Sequence, residues 1–290
     1  MSTAPAGHRI GEFSRRVGVS PDLLRAWEHR YGLLTPVRSP GGFRLYGEED
    51  AARVARMRRA LESGLSAAQA ARVALDAARP AAGRIDDARA RLLSAVERYD
   101  EADVQSALDD ALAAVGLETF IRDLILPTLT EVGQRWADGE AEISQEHFAS
   151  HLIRGRLLSL ARLWGRGAGP LALLACAPGE RHDISLLAFG LLLRSYGWRI
   201  LFLGADTPIL TVGQAATATH PDAVVIVAFD HGLLDDQRTE LRRLGRRVPV
   251  YLSGPGAEGA ADARDRVHRL DGDVVEAAHE LARTVAPPAP

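Results

Sequence analysis

A short loop at residues 177–182 carries the side chains best suited to metal chemistry. It contains Glu180 and His182, and it follows an apolar run, Leu171 to Cys176, that is typical of a buried strand. Parallel α/β sheets bind ligands at the carboxyl ends of their strands, so an imidazole in this loop is well placed to ligate a metal. A carboxylate two residues earlier can hydrogen-bond the other ring nitrogen. The loop therefore predicts a metal site at a sheet edge.

A second group of candidate residues flanks a predicted connection between two helices. Trp136 ends one helix just before Asp138-Gly139, while Glu146 and His147 open the next. All three should therefore gather at one end of a helix bundle. A tryptophan beside a carboxylate and an imidazole forms an amphipathic lid that suits a nucleoside-like ligand. Taken alone, a capping tryptophan with exposed polar neighbours is the simpler interpretation.

The elements that position these residues belong to a chain of globular composition. Its 290 residues predict about two domains, or three small ones, and 47% of them are hydrophobic. No apolar run approaches the ~18 residues of a membrane span, and Met1 to Arg9 is too polar for a signal peptide. We therefore expect a cytoplasmic protein without a membrane partner. The single cysteine, Cys176, excludes an intrachain disulfide and a multi-cysteine zinc site.

Charge is unevenly distributed along the chain. All 35 basic residues are arginine, a side chain that suits phosphate recognition. Residues 1–62 contain 11 arginines against 7 acidic side chains, a net charge of +4, whereas the whole chain carries -3 and the remainder therefore -7. A basic end joined to an acidic remainder indicates a nucleic-acid-binding module followed by a module of another kind.

The amino-terminal module is predicted to be a winged helix-turn-helix. Apolar residues at helical spacing predict a helix over 10–17, and Ser20-Pro21 supplies the N-cap and first-turn proline of a second helix that ends near Arg30. A tight turn between two short helices lets the second helix lie in a DNA major groove. Residues 34–38 and 43–46 predict a β-hairpin wing.

The middle module is predicted to be a four-helix bundle. From Ile85 to about Trp164 the pattern is almost wholly helical, with breaks expected at Tyr99-Asp100, Gly116, Pro127 and Asp138-Gly139. Most of its apolar side chains should simply form the core. The predicted organisation is a DNA-binding domain at 1–77, a linker at 78–84, a bundle at 85–166 and a third module at 168–290.

The carboxy-terminal module alternates apolar strands with helices. This alternation predicts a doubly wound parallel sheet of flavodoxin-like, Rossmann-like order 2-1-3-4-5. The switch point of that order lies between the first and third strands, whose loops carry His182 and Asp230-His231. The loop at 177–182 thus lies at the predicted ligand crevice. The strands are expected at 171–176, 198–203, 223–229, 248–252 and 267–270.

The amino-terminal residues resemble the DNA-binding domain of MerR-type regulators. The resemblance covers about residues 8–77 and rests on Leu24-Arg25-Ala26-Trp27-Glu28, Tyr31-Gly32-Leu33 and Gly42-Phe43-Arg44-Leu45-Tyr46. It implies double-stranded DNA as a partner. It also implies that Arg25, Arg30 and Tyr31 approach the DNA, and that Arg44 and Tyr46 position the wing on phosphates.

The two groups of candidate residues resemble signatures of the cobalamin-dependent, light-responsive MerR-type regulators, the CarH and LitR group. Trp136, Glu146 and His147 match W-x9-E-H, and Glu180 to Ser185 resembles D-x-H-x-x-G with Glu for Asp. The resemblance implies adenosylcobalamin as cofactor, with His182 on the cobalt and the three bundle residues around the adenosyl group. It also implies a repressor that forms a dimer or tetramer with cofactor in the dark and releases DNA after light.

The implied cofactor-binding positions include several departures from the group's pattern. The positions are Trp136, Glu146, His147, Glu180, His182, Asp183, Ser185, Asp206, Thr207, Val227, Ser253 and Gly254. Ser185 replaces the motif's glycine, and Val227 stands where many relatives place a serine near the nucleotide tail. Residues 253–256, Ser-Gly-Pro-Gly, replace a double glycine, and Ala137 stands where well-known members carry a histidine. These departures concern the tail, the affinity and the light-adapted state rather than the fold.

Two alternative functions remain open at this point. One is a MerR-type regulator that senses another tetrapyrrole or a small molecule, with His182 or His231 in a different role. The other is a corrinoid enzyme or its accessory protein, since such proteins share the bundle and the sheet. The DNA-binding module argues against the second alternative, and the sequence suggests no catalytic residue. We therefore expect a regulator and not an enzyme.

Overall fold

The chain divides into two units, residues 1–87 and 88–290. Within them, the computed structural model describes residues 7–39, 41–62, 66–76, 81–162 and 164–284. None of the helices formed by these residues is long and apolar enough to span a bilayer.

The first unit contains the predicted helix-turn-helix and wing. Its elements are α1 (Ile10–Val17), α2 (Pro21–Tyr31), the strands β1 (Val37–Arg38) and β2 (Arg44–Leu45), α3 (Glu48–Glu62) and α4 (Ala67–Asp76). Gly18 ends α1 in the left-handed region at φ 69°, and the Ser20 side chain then accepts the Leu23 N–H to cap α2. The two strands pair antiparallel. Phe13, Leu24 and Met57 are fully buried and fix the helices around one core.

The predicted bundle follows; its first helix begins at the end of the first unit and continues into the second. Its helices are α5 (Ala81–Glu97), α6 (Glu101–Val115), a third helix made of α7 (Leu117–Thr119), a π-helical segment (Phe120–Ile125) and α8 (Leu126–Ala137), and then α9 (Ile143–Leu160). Residues 81–84, expected in a linker, instead form the first turn of α5, because alanines at 81 and 82 favour helix. Residues 78–80 of that predicted linker lie outside the described residues.

The expected break at Pro127 is wrong. The helix continues through this residue from a π-helical segment, Phe120–Ile125, into α8. Proline has no N–H, so in an α-helix Pro127 would leave the carbonyl of Asp123 without a donor. The Arg89 guanidinium on α5 donates to that carbonyl at 2.6 Å. A contact from another helix therefore supplies the hydrogen bond that proline cannot, and the helix does not end.

The second unit continues with a five-stranded parallel sheet. The strands are β3 (Leu171–Cys176), β4 (Arg199–Gly204), β5 (Ala223–Val227), β6 (Val250–Ser253) and β7 (Val267–Arg269). Their order is β4-β3-β5-β6-β7, which confirms the predicted 2-1-3-4-5 topology. The helices α10 (Ile184–Ser195), α11 (Ile209–Thr219), α12 (Arg238–Gly245) and α13 (Val274–Thr284) lie between and after the strands. Every residue of β3 and β5 is buried, as expected for central strands covered on both faces.

Candidate functional site

The loop after β3 presents one exposed imidazole held by a buried carboxylate. The His182 side chain is 77% exposed, whereas that of Glu180 is 0% exposed. Nδ1 of His182 lies 2.7 Å from Oε1 of Glu180. The same oxygen accepts the backbone N–H of His182 at 2.9 Å, and Oε2 accepts the backbone N–H of Phe229 at 2.7 Å. Nδ1 is thus engaged, and Nε2 has no hydrogen-bond partner among the described residues.

These contacts keep Glu180 ionised although it is buried. Burial alone raises the pKa of a carboxyl group, but the two backbone N–H donors of His182 and Phe229 and the imidazole together hold the pKa of Glu180 below its ordinary value. An ionised partner on Nδ1 orients the ring and makes Nε2 a better electron-pair donor. The pair therefore leaves Nε2 of His182 oriented and exposed, as a nitrogen donor that can hold a metal.

The loops after the first strands of the sheet are bound to one another around this pair. The Asp206 carboxylate accepts the Gly179 N–H at 2.7 Å, and the Asp206 N–H donates to the Glu180 carbonyl at 2.7 Å. A Cβ on Gly254 would lie 2.3 Å from the carbonyl oxygen of Ala228, so only glycine allows this approach of the loops after β5 and β6. Contacts between loops therefore hold together the edge of the sheet at which the predicted switch point lies.

Other predicted cofactor residues at this edge have differing environments. Thr207 and Val227 are buried, and the Thr207 hydroxyl donates to the carbonyl of Gly204 at 3.2 Å. The Ser185 hydroxyl is buried and has no hydrogen-bond partner within the described residues. Burial raises the pKa of the Cys176 thiol to about 12, so this residue stays uncharged.

Asp183 forms an ion pair that the sequence did not predict. Its buried carboxylate is bound by Arg154 of α9, with Nε 2.9 Å from Oδ1 and Nη2 2.7 Å from Oδ2. Both of its oxygens are engaged by this bidentate ion pair, and the cofactor contact predicted for Asp183 stays a prediction. Asp183 fastens the bundle to the loop that carries His182. Sequence analysis missed Arg154, although it shares a helical face with Glu146 and Ser150 at intervals of four residues.

The second candidate group lies at one end of the bundle. Trp136 is near the end of α8, and α9 begins at Ile143 after a short connection, so the predicted neighbours share that end. Nδ1 of His147 lies 2.6 Å from Oε2 of Glu146, and the Ser150 hydroxyl donates to Oε1 of Glu146 at 2.6 Å. The Trp136 side chain has no hydrogen-bond partner among the described residues, and the residue is 48% exposed.

Helix α9 fixes the height of this group above the sheet edge. Glu146 and Arg154 lie eight residues apart on α9, a rise of about 12 Å at 1.5 Å per residue. Arg154 is bound to Asp183, the residue after His182. Glu146 therefore lies about two helical turns along α9 from the residue that binds the loop carrying His182.

The donor set fits a metal that brings its own equatorial ligands. Within the described ranges, no three or more His, Cys, Asp or Glu side chains form a cage for a bare ion. His182 offers a single imidazole nitrogen, which suits the axial position of cobalt in a corrin. The unpartnered hydroxyl of Ser185 is a second feature that a bound ligand can satisfy.

The predicted DNA-binding residues divide into exposed and buried ones. Arg25 and Arg30 are exposed on α2, Tyr31 is half-buried, and Arg44 is exposed on the wing, where its Nε lies 3.1 Å from the Glu28 carboxylate. Exposed arginines on the second helix and the wing are available to phosphates.

Tyr46 is the exception among the predicted DNA contacts. Its ring is buried and stacks on Phe13 at 5.0 Å, and its hydroxyl donates to Glu28 at 2.9 Å. Burial, together with the hydrogen bond to Glu28, raises the pKa of Tyr46 to about 12. The Tyr46 side chain is therefore part of the core and is not exposed to phosphate. It acts on the wing indirectly, through the carboxylate that also holds Arg44.

The wing carries one contact that sequence analysis missed. The guanidinium of Arg9 lies 4.0 Å from the centre of the Phe43 ring, which is itself half-exposed. A cation over an aromatic face ties the amino-terminal end of the unit to the wing. No local sequence pattern predicts a contact between residues so far apart in the chain, although an exposed phenylalanine beside arginines is a hint.

Comparisons with known proteins agree with both units. Residues 8–76 match the MerR HTH family regulatory protein domain, and residues 88–160 match the B12 binding domain. The chain is 34% identical to the HTH-type transcriptional repressor CarH of Myxococcus xanthus, over 92% of this chain and 95% of that protein. It is 35% identical to the repressor CarA of the same organism, over 94% of each chain.

A solved structure supports the fold of the second unit. The monomethylamine corrinoid protein of Methanosarcina barkeri superposes with a TM-score of 0.54 at 20% identity, over 70% of this chain and 99% of that one. At this identity the likeness concerns the fold alone. The two repressors, by contrast, are similar along almost their whole length. The chain therefore belongs to the family of MerR-type transcriptional repressors with a B12-binding domain that includes CarH and CarA.

Proposed function

We propose that this cobalamin-sensing, DNA-binding regulator is a repressor whose ligand is adenosylcobalamin and whose signal is light. In this proposal the cofactor-bound protein is a dimer or tetramer that holds duplex DNA in the dark. Illumination loosens the assembly and lowers its affinity for DNA. A DNA-binding regulator of this kind acts in the cytoplasm, where the DNA is.

The observation that carries the proposal is the buried Glu180 behind the exposed imidazole of His182. In a typical solvated loop histidine, the ring would not be held by an ionised carboxylate without solvent access. Glu180 holds the ring in one tautomer, so Nε2 is free to bind cobalt. The unpartnered Ser185 hydroxyl, in the same motif, is available to the nucleotide tail.

The bundle end supplies the other half of the site. Trp136 continues the face of α8 that buries Thr128 and Val132, yet it is half-exposed. In the proposal, Trp136 covers the adenosyl group, and Glu146 and His147 hydrogen-bond it. When bound, the cofactor supplies a cobalt–carbon bond that light can break. The two residues on α9 then lose the group that they hold.

Oligomerisation links this site to DNA affinity. A ligand stabilises the state that buries it, so contacts made at the bundle end favour one assembly over another. Two winged helices joined in one assembly bind a duplex far more tightly than either does alone. A modest shift in assembly therefore becomes a large change in DNA retention.

The decisive experiment reconstitutes the full-length protein with adenosylcobalamin in darkness. Absorbance, oligomeric mass and DNA retention are then measured before and after green light. We expect a stoichiometric corrinoid spectrum, a larger assembly in the dark, and loss of both assembly and DNA after light. No spectral change on illumination would contradict the photoreceptor role. A spectral change with persistent DNA binding would leave a vitamin sensor, and tight binding of another tetrapyrrole instead of cobalamin would assign a different ligand.

A further inference from the structure

A cluster of arginines lies at the edge of the sheet opposite the candidate cofactor site. The strands β6 and β7 begin at Val250 and Val267, and the loops that lead into them lie at the amino ends of the parallel strands. His182, by contrast, follows the carboxyl end of β3. The side chains come from the end of α12 and from these loops, and all are exposed. We call the cluster the arginine edge: Arg242, Arg243, Arg246, Arg247, Arg264 and Arg266.

A glycine brings the two segments of the arginine edge together. A Cβ on Gly245 would lie 2.0 Å from the carbonyl oxygen of Asp265, so only glycine lets the end of α12 reach the turn before β7. The approach places Nε of Arg242 at 3.4 Å and Nε of Arg246 at 3.5 Å from the Asp265 carboxylate. Two guanidinium groups thus share one carboxylate.

The remaining arginines of the edge carry uncompensated charge. Across the described part of the chain, none of the other four forms an ion pair. The Arg247 guanidinium makes one long hydrogen bond, at 3.4 Å, to the hydroxyl of Thr217. The part of the chain beyond residue 62 has a net charge of -7, so this patch opposes the charge of its own segment. Such a single-sign field is unusual on a protein surface, where both signs are normally mixed.

The dipole of α12 explains only part of the cluster. A helix carboxyl terminus favours cations, and this effect accounts for arginines in the last turn of α12. The effect falls off within that turn, whereas Arg264 and Arg266 lie on a separate turn held beside the helix by Gly245. Stability of the helix therefore gives no reason for the second segment to be basic.

We propose that the arginine edge binds the sugar–phosphate backbone of duplex DNA, as a sequence-independent contact additional to the winged helix. The planar guanidinium matches phosphate oxygens in pairs, and six such groups outnumber the two carboxylates, Asp262 and Asp265, of the same segments. Phosphate contacts of this kind give affinity and salt dependence without base recognition. The proposal goes beyond the cofactor response and does not depend on it.

The test compares two charge-matched variants of the full-length protein. R243Q/R247Q removes two charges from the arginine edge. R98Q/R238Q removes two charges elsewhere, from the turn after α5 and from the opposite end of α12, where each arginine pairs with an aspartate. Binding to a random-sequence duplex is measured by fluorescence anisotropy at several salt concentrations. We expect the slope of log K against log salt to fall by about 2 in the edge variant and to stay unchanged in the control.

A third variant and a second measurement keep the test specific. R243K/R247K keeps both charges and should retain most of the slope, and thermal melting by circular dichroism should show all variants folded. An unchanged slope in R243Q/R247Q would overturn the proposal. So would a change in oligomeric mass of that variant without DNA, because the edge would then be a contact with an acidic surface of a second copy.

Discussion

The two histidines of the candidate site share a contact but differ in how firmly they are held. Nδ1 of His182 lies 2.7 Å from Glu180, and Nδ1 of His147 lies 2.6 Å from Glu146. Glu180 has no exposed side-chain surface and also accepts two backbone N–H groups, whereas Glu146 is 28% exposed and shares its carboxylate with a serine hydroxyl. A glutamate and a histidine therefore form a rigid pair in the loop after β3, the lower region, and an adaptable pair at the end of the bundle, the upper region.

In the proposed cofactor site, this difference gives the two histidines different roles in binding. A ligand that meets a preformed group loses little conformational entropy on ordering it, so the lower imidazole should set affinity. The upper group has few fixed contacts, so ligand binding must order it. A group ordered by its ligand is suited to report whether that ligand is intact. The predictions below test this division, from the largest expected effect to the smallest.

Removing the ion pair that joins the two regions should have the largest effect. In Arg154→Met, the carboxylate of Asp183 stays buried without its partner, and we expect a loss of about 3 kcal/mol in the free energy of unfolding. Arg156→Met, on the same helix, breaks a pair with a half-exposed aspartate and should cost about 1 kcal/mol or less. Urea unfolding of both variants measures the difference. Equal losses would contradict the linking role of Arg154.

His182→Ala should remove the axial ligand and most of the corrinoid affinity. We expect binding at least about 100-fold weaker, since loss of a ligand should exceed the 10- to 100-fold effect of losing its supporting partner. Absorbance titration in the dark measures both affinity and the axial band. His231→Ala, on the loop after β5, is the matched control and should bind normally. An unchanged spectrum in His182→Ala would refute the axial assignment.

Glu180→Gln keeps the shape of the buried carboxylate but removes its charge. We expect corrinoid binding to weaken by roughly 10- to 100-fold, because the imidazole loses its orienting anion. Glu146→Gln, the equivalent change in the upper region, should weaken binding much less. If the two glutamine variants bind equally, the contrast between a rigid lower site and an adaptable upper one is wrong.

Acid should remove the contribution of Glu180 to stability. The folded-state pKa lies below the unfolded value of about 4.3, so the stabilisation is present above that pH and is lost as pH falls through the folded pKa. The difference in unfolding free energy between the natural protein and Glu180→Gln should therefore be constant near neutrality and shrink below about pH 4. Urea unfolding at a series of pH values measures it. A difference that grows on acidification has the opposite sign and would contradict the assignment.

His147→Ala should have the smallest effect on the dark complex. One exposed hydrogen bond is worth about 1 kcal/mol, so we expect adenosylcobalamin binding to weaken roughly two- to fivefold. The variant should also reduce the difference in affinity between adenosylcobalamin and a corrinoid without the adenosyl group. A loss as large as that of His182→Ala would place the affinity in the upper region.

Local patterns in the sequence were enough to predict the sheet and its order. The all-buried runs of β3 and β5 and the alternation with helices determine a doubly wound sheet, and the loop after β3 then has to lie at the switch point. Contacts between distant residues were not predictable in this way. Pro127 ends a helix by local rules, and only Arg89 on another helix reverses that result.

The same limit explains why the surroundings of two candidate side chains could not be predicted. A motif specifies residue types, but burial depends on what packs nearby, so Tyr46 matched the family pattern and still belongs to the core. Asp183 lay inside the cofactor motif, and nothing near it in sequence indicated that Arg154 on α9 binds its carboxylate. The pairing of Glu180 with His182 was predictable because both belong to one short loop.

The π-helical segment before Pro127 has a consequence for the direction of Trp136. A wide turn holds one extra residue, so its loss would rotate everything beyond it by about 100° relative to the residues before it. Pro127 cannot donate a hydrogen bond to the Asp123 carbonyl, and Arg89 donates to that carbonyl instead. The wide turn therefore has a single favourable position. The direction in which the Trp136 side chain leaves the helix is therefore set by Pro127 and Arg89, which are remote from it. Exchanging Pro127 for alanine would free that rotation without altering any residue at the site.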